Sequence, residues 1–186
     1  MQRQGTEILK EQVLKAAKQL FMVRGYEAVG MREIAQAVGK TPVQVYRLKL
    51  SKSDILAELI IELNQEQIAQ LPEISQRVKG VSLLERTSAY LNELYKLDIR
   101  NMPIRSVGAA FGWMWSLEQE RRVFEQVMQL IQPVAGWMNE AGLDDIPARC
   151  VGIWSLYYVG YRRAVVHGGT ADDCLEAIKP SLRYFL

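Results

Sequence analysis

Residues 34–52 read IAQAVGKTPVQVYRLKLSK, two short apolar-patterned segments divided by one glycine. Ile34 and Val38 stand one helical turn apart, and Val45 and Leu48 repeat that relation three residues apart. Ala35 is small where a second helix must cross closely. Gly39 accepts the left-handed conformation of a tight turn at little steric cost. Thr41-Pro42-Val43-Gln44 then restarts the chain as a helix, with Thr as N-cap, Pro at the first helical position and Gln completing a capping box. Two short helices at a steep angle around a shared apolar inside make a helix-turn-helix. The second helix turns Thr41, Val43, Gln44 and Arg47 outward. Glutamine suits the edge of adenine and arginine that of guanine, and a projecting helix N-terminus enters a major groove. A surface hairpin with no DNA role has the same spacing, so pattern alone leaves both readings open.

Outward from this stretch, nearly everything reads as helix. Thr6 to Arg24 repeats apolar residues at Leu9, Val13, Ala16, Ala17, Leu20 and Phe21, and Gly25 stops it. Met31 to Val38 forms a short second helix with Gly30 as N-cap. Ser51-Lys52-Ser53-Asp54 opens a fourth that Pro72 should end near Leu71. Residues 82–100 form a fifth, and Pro103 starts a sixth through VGAAFGWMW (107–115). A capping box at Ser116–Gln119 opens a seventh to about Glu140, with a kink expected at Pro133. Asp144 to Pro147 opens an eighth to about His167, and Thr170 to Asp173 caps a ninth. The expectation is an all-α chain of about nine helices without a sheet.

Composition narrows the function classes. Of 186 residues, 49% are hydrophobic and 24% charged, a globular balance with material for a core. The longest apolar run, CVGIWSLYYVGY (150–161), is too short to span a bilayer and ends on Arg162-Arg163. With a polar, amphipathic N-terminus that lacks a signal-peptide core, a cytoplasmic location and no membrane partner are expected. The net charge of +2 conceals an asymmetry: residues 1–52 carry ten Lys or Arg against four acids, and residues 53–186 thirteen against seventeen. Such a basic end on an acidic body fits a polyanion at the first part only, although it also fits a solvated surface. Cys150 and Cys174 lack metal-ligand spacing and read as reduced thiols packed as small hydrophobes; a redox sensor would need an exposed, activated thiol. His167, the single histidine, lies at a helix end where its cationic form is favourable. No metal, no cofactor and no enzymatic activity are expected.

Residues 25–56, GYEAVGMREIAQAVGKTPVQVYRLKLSKSDIL, resemble the DNA-binding segment of TetR-family transcriptional regulators. The marks are Gly25-Tyr26, Arg32-Glu33-Ile34-Ala35, Ala37-Val38-Gly39, Tyr46, and Ser51-Lys52 opening a long helix. The resemblance is specific over residues 8–60, and the remainder matches in length and helix rhythm. It implies a helix-turn-helix domain at 1–50 and a ligand-binding and dimerisation domain at 51–186, linked by the helix at 51–71. Thr41, Pro42, Val43, Gln44 and Arg47 would meet bases or the groove. Tyr46 and Lys52 would hold phosphates, and Arg32 joins the DNA-binding set. Three departures stand out. Lys40 replaces a small apolar residue; Lys49-Leu50 replaces an aromatic and its polar neighbour, so Leu50 would fill that core space. Val29-Gly30 replaces a Ser or Thr pair that caps helix two and touches phosphate. Lys40 and Lys49 would compensate as phosphate contacts.

All four tryptophans lie between residues 100 and 161, a run that reads as core more readily than as pocket. In the resembled family the middle helices enclose a small-molecule cavity. Tyr90, Leu94, Phe111, Trp113, Met114, Phe124, Met128, Trp137, Trp154 and Tyr158 would line it around an apolar or aromatic effector. Arg86, Arg100 and Arg105 would pair with an acidic group on that effector. Gly152 and Gly160, eight residues apart, permit close helix approach, within the chain or across a homodimer. The resemblance implies the homodimer, with Gly152, Leu156, Val159, Gly160, Leu175, Ile178, Leu182 and Phe185 at its interface. Two reading helices would then meet a palindromic operator about 34 Å apart. The expected function is a ligand-responsive regulator, a repressor released from double-stranded DNA by its effector, with helix four as lever. The rivals are a helical ligand-binding dimer without specific DNA recognition, and an enzyme.

Overall fold

The computed structural model describes residues 2–80 and 82–186, with all their side chains except those of residues 2, 3 and 113. Among the described residues every regular element is helical. The order is α1 (Gln2–Arg24), α2 (Met31–Ala37), α3 (Pro42–Tyr46), α4 (Lys52–Arg77), α5 (Leu83–Arg100), α6 (Met102–Phe111), α7 (Leu117–Glu140), α8 (Ile146–His167) and α9 (Ala171–Leu182). A 3-10 turn at Gly112–Met114 follows α6. The all-α architecture is as the sequence predicts, and several boundaries are not. Pro72 does not end α4, which continues to Arg77. Proline removes one helical donor, but the next turn buries Ile74 and Val78, which offsets that loss. The VGAAFGWMW run does not stay α-helical; it tightens after Phe111. Helix α1 starts before Thr6, and α7 carries Pro133 inside a single helix.

Two compact units form. The first comprises the chain up to Leu63 together with Asn101–Val123, and the second comprises Asn64–Arg100 with Phe124–Leu186. Helices α2 and α3 therefore share a unit with the first turns of α4, with α6 and with the start of α7. In the first unit Val13, Ala17 and Phe21 of α1 are fully buried at a four-residue spacing, against Ile34, Ala35, Val45, Ile55, Leu56 and Leu59. Tyr26 packs edge-on to Phe21 at 5.1 Å and tilted on Phe111 at 5.5 Å. A Cβ at Gly108 would strike Ile60, so α6 crosses α4 closely enough to require glycine there.

In the second unit α8 packs on α9, and both pack on α5. Its interior holds a satisfied polar set. Asp98, only 8% exposed, accepts bonds from Gln67 Nε2 at 2.5 Å and Tyr157 Oη at 2.8 Å. Tyr95 stacks on Tyr157 at 4.2 Å and donates its hydroxyl to the Tyr157 carbonyl at 2.9 Å. A buried carboxyl is costly without such donors, so this set fixes the register of α5 and α8. Cys150 and Cys174 are buried free thiols, and burial pushes both above the ordinary thiol range, which suppresses thiolate chemistry.

Candidate nucleic-acid interface

The turn before α3 closes by backbone geometry. Gly39 adopts φ +64°, Lys40 N donates to Ala35 O at 2.9 Å, and Gly39 N to Gln36 O at 3.0 Å. This paired bonding satisfies the last carbonyls of α2 and reverses the chain within two residues. Thr41 then caps α3 as the sequence predicts, its Oγ1 accepting from Gln44 N at 3.4 Å while Gln44 Oε1 accepts from Thr41 N at 2.9 Å. Pro42 occupies the first turn, half-buried. Val45 alone of this helix is buried, at 1% exposure. Thr41, Val43, Gln44, Tyr46 and Arg47 are all exposed, and Lys40 and Arg32 are exposed beside them. Leu48 and Leu50 pack half-buried on the first unit's core, so Leu50 takes up the apolar space expected of it. Lys49, just before it, holds φ +55°, a left-handed conformation with a backbone cost. Its side chain is exposed.

An open cleft of about 590 Å³ runs beside this face. Gly5, Thr6, Ile8, Leu9 and Gln12 of α1 line one side, and Lys40, Gln44, Arg47 and Leu48 the other. Two cations and no acid line it, which extends the cationic surface from α3 toward the first turns of α1.

The start of α2, which lacks a Ser or Thr cap, is held differently. Glu33 Oε2 accepts from Gly30 N at 2.7 Å, and Arg24 Nη1 reaches Glu33 Oε1 at 2.6 Å. Arg24 also donates to the Ala28 carbonyl at 3.1 Å, tying the end of α1 to this loop. The Gly30 amide, then Arg24, hold the Glu33 carboxyl below the usual carboxylate range. Val29, at 0% exposure, spends its position on the core. Sequence spacing shows Glu33 at N3, but not Arg24 as its partner. Lys52, half-buried, lies 3.9 Å over the Tyr26 ring, a cation–π contact that orients it at the start of α4.

The other expected sites divide between the units. Tyr90, Leu94 and Trp137 are buried in the second unit, Tyr90 donating to the Leu130 carbonyl at 2.5 Å. Trp154 stacks on Tyr157 at 5.0 Å, Met128 is half-buried and Tyr158 is exposed. Phe111 belongs to the first unit, against Tyr26. Met114 and Phe124 are 75% and 58% exposed, so neither is enclosed, and the Trp113 side chain lies outside the described residues. Arg86 covers the Trp137 ring at 4.2 Å and Arg100 is exposed.

At the expected interface, Gly160 faces inward, where an added Cβ would meet the Tyr95 hydroxyl, the Cys174 carbonyl and Ile178. The close approach it permits is therefore between α8 and its own chain. Gly152 lies under the Phe185 ring, while Leu175, Ile178 and Leu182 are buried. Leu156 is half-buried and Val159 is 58% exposed. The exposed apolar residues on α8 are Val151, Tyr158, Val159, Val165 and Val166, a face that also carries exposed Ser155 and Arg162; only Tyr158 and Val159 are among the residues expected from the sequence. Their seven- and eight-residue spacing was legible, but Trp154 and Leu156 offered equally good helical faces. No helix among the described residues is long and apolar enough to cross a membrane.

Residues 13–59 match the family model of bacterial regulatory proteins, tetR family. The whole chain has the fold of solved TetR-family proteins. Thermus thermophilus FadR, a TetR family transcriptional repressor solved with lauroyl-CoA, superposes with a TM-score of 0.67 at 20% identity, covering 95% of this chain and 92% of that one. Bacillus subtilis FadR, a transcriptional regulator solved with stearoyl-CoA, gives 0.66 at 17% identity, covering 94% and 96%. The superantigen PfiT also shares the fold, at 0.61 and 20% identity over 92% and 94%. No curated protein matches the chain in sequence. Matches at such identity establish the fold alone.

Proposed function

We propose that this chain, whose residues 13–59 match the tetR family model and whose fold is that of TetR-family proteins, is a transcriptional regulator that binds a palindromic operator as a homodimer and releases it when a small apolar or aromatic effector binds. One observation carries the DNA half: α3 buries Val45 and exposes Thr41, Val43, Gln44 and Arg47, with Lys40 and Lys49 at its ends. A helix with that division serves the groove better than it serves a core. For the dimer, exposed Val151, Tyr158, Val159, Val165 and Val166 on α8 support a second copy as the covering partner. For the effector, the two FadR proteins solved with acyl-CoA thioesters make such thioesters the first probes. Repression is the proposed sign. Release requires the effector to favour a shape of the dimer that fits DNA less well, and α4, whose residues enter both units, is the proposed lever.

Sedimentation tests the dimer, and a mobility shift on selected duplex DNA with and without acyl-CoA thioesters or aromatic carboxylates tests release. A monomer that binds all duplexes alike would sink the proposal.

A further inference from the structure

The capping bonds of α3 restrict what Gln44 can read. A backbone N–H only donates, so the atom 2.9 Å from Thr41 N is the Gln44 carboxamide oxygen, and the same oxygen lies 3.2 Å from Thr41 Oγ1. The amide nitrogen has no protein partner among the described residues, and the side chain is exposed. Bidentate adenine recognition needs both ends of a glutamine: the nitrogen donating to N7 and the oxygen accepting from N6. Here the oxygen accepts from both Thr41 N and Thr41 Oγ1, which engages its two lone pairs in the cap of a helix only five residues long.

We infer that Gln44 reads DNA while capped, as a donor only, and selects a base by its acceptors instead of recognising adenine bidentately. Guanine, with N7 and O6, satisfies a lone NH2 group best. Adenine offers N7 and thymine O4, one acceptor each, and cytosine presents only a donor. The discrimination between adenine and guanine at this position is therefore weak, and Arg47, whose guanidinium is not engaged in a cap, supplies the sharper contact. This inference rests on the DNA-reading function proposed above.

The test compares motifs selected from a random duplex pool by the full-length wild type, Gln44→Ala and Gln44→Glu. The base pair whose preference changes in Gln44→Ala is the one Gln44 reads. The wild type is expected to take guanine and adenine there within about threefold of each other, where a bidentate pair would separate them by tenfold or more. Gln44→Glu keeps a carboxylate that caps Thr41 but has no donor, so its preference should move toward cytosine while thermal unfolding stays near wild type. Gln44→Ala should lose both the preference and part of the stability. Strict adenine in the wild type, or a motif unchanged in Gln44→Ala, overturns the inference while leaving the regulator reading standing. Absence of any motif in the folded wild type overturns the regulator reading itself, and this inference with it.

Discussion

Gln119 and Asp54 join two helix starts through one side chain. The Gln119 carboxamide oxygen accepts from Ser116 N at 3.0 Å, capping α7, and its nitrogen donates to Asp54 Oδ1 at 3.1 Å. Asp54 in turn caps α4 by accepting from Ser51 N at 2.9 Å. One turn further, Arg122 donates to Glu58 at 2.9 Å and adds an ion pair along the same two helices. Gln119→Ala removes a cap and a bond to a partly buried carboxylate. It should destabilise the protein by about 1–2 kcal/mol in urea denaturation. Gln119→Glu retains the cap but opposes Asp54, so its deficit should shrink as the pH is lowered; a deficit that grows in acid would refute the link.

Acid should weaken three caps together. The Ser51 hydroxyl, ahead of the opposing effect of burial, holds Asp54 below the usual carboxylate range; the Thr170 amide does so for Asp173, and the Gly30 amide with Arg24 for Glu33. A carboxyl whose folded pKa lies below its unfolded value of about 4 contributes fully above that value and loses its contribution as the pH falls through the folded one. Urea midpoints should therefore hold steady from pH 7 to about pH 5 and decline below pH 4. Asp173→Asn should flatten part of that decline, and a midpoint that rises toward pH 3 would contradict it.

Gly160 is a packing residue of the chain's own interior. Alanine there would press on the Tyr95 hydroxyl and the Cys174 carbonyl, and a backbone carbonyl cannot swing away. Gly160→Ala should cost about 1–3 kcal/mol by thermal or chemical unfolding. At Gly152 the obstacle is the Phe185 ring near the chain end, which can rotate, so Gly152→Ala should cost less. Equal costs would show that Phe185 is as fixed as the backbone.

Substitutions at Lys49 should separate stability from the proposed DNA affinity. Its φ of +55° suits glycine, so Lys49→Gly should leave stability unchanged or raise it by up to about 1 kcal/mol. The same change removes a cation beside the reading helix and should lower the salt slope of DNA binding by about one ion. Lys49→Ala removes the charge and keeps the strain. An unaltered salt slope in both variants would exclude Lys49 from phosphate contact.

The local signals were the legible ones. Thr41, Ser116 and Thr170 cap their helices through the residue three positions on, and Gly39 turns left-handed where the sequence requires it. These are short-range rules in which each residue answers only to its neighbours. Pro72 points to a helix end by its local cost alone, and the burial of Ile74 and Val78 in the following turn outweighs that cost. Gly160 and Val151 depended on which face of α8 turns inward, and that is settled by Tyr95 and α9, far away in sequence. The Arg24–Glu33 pair is close in sequence yet hidden, because it joins the end of one helix to the start of the next across an irregular turn. Gln44 suits both cap and base reader in the sequence, and only the bond distances reveal that its oxygen already accepts from Thr41 N and Thr41 Oγ1.

The most direct test of the account is to select duplexes from a random pool with purified protein at near-physiological salt, and to repeat the selection with Arg47→Ala. The account predicts an enriched palindromic motif whose half-sites lie about one DNA turn apart, about 34 Å, and whose best-defined position is lost in the variant. A folded protein that enriches no motif, or a motif indifferent to Arg47, would contradict it.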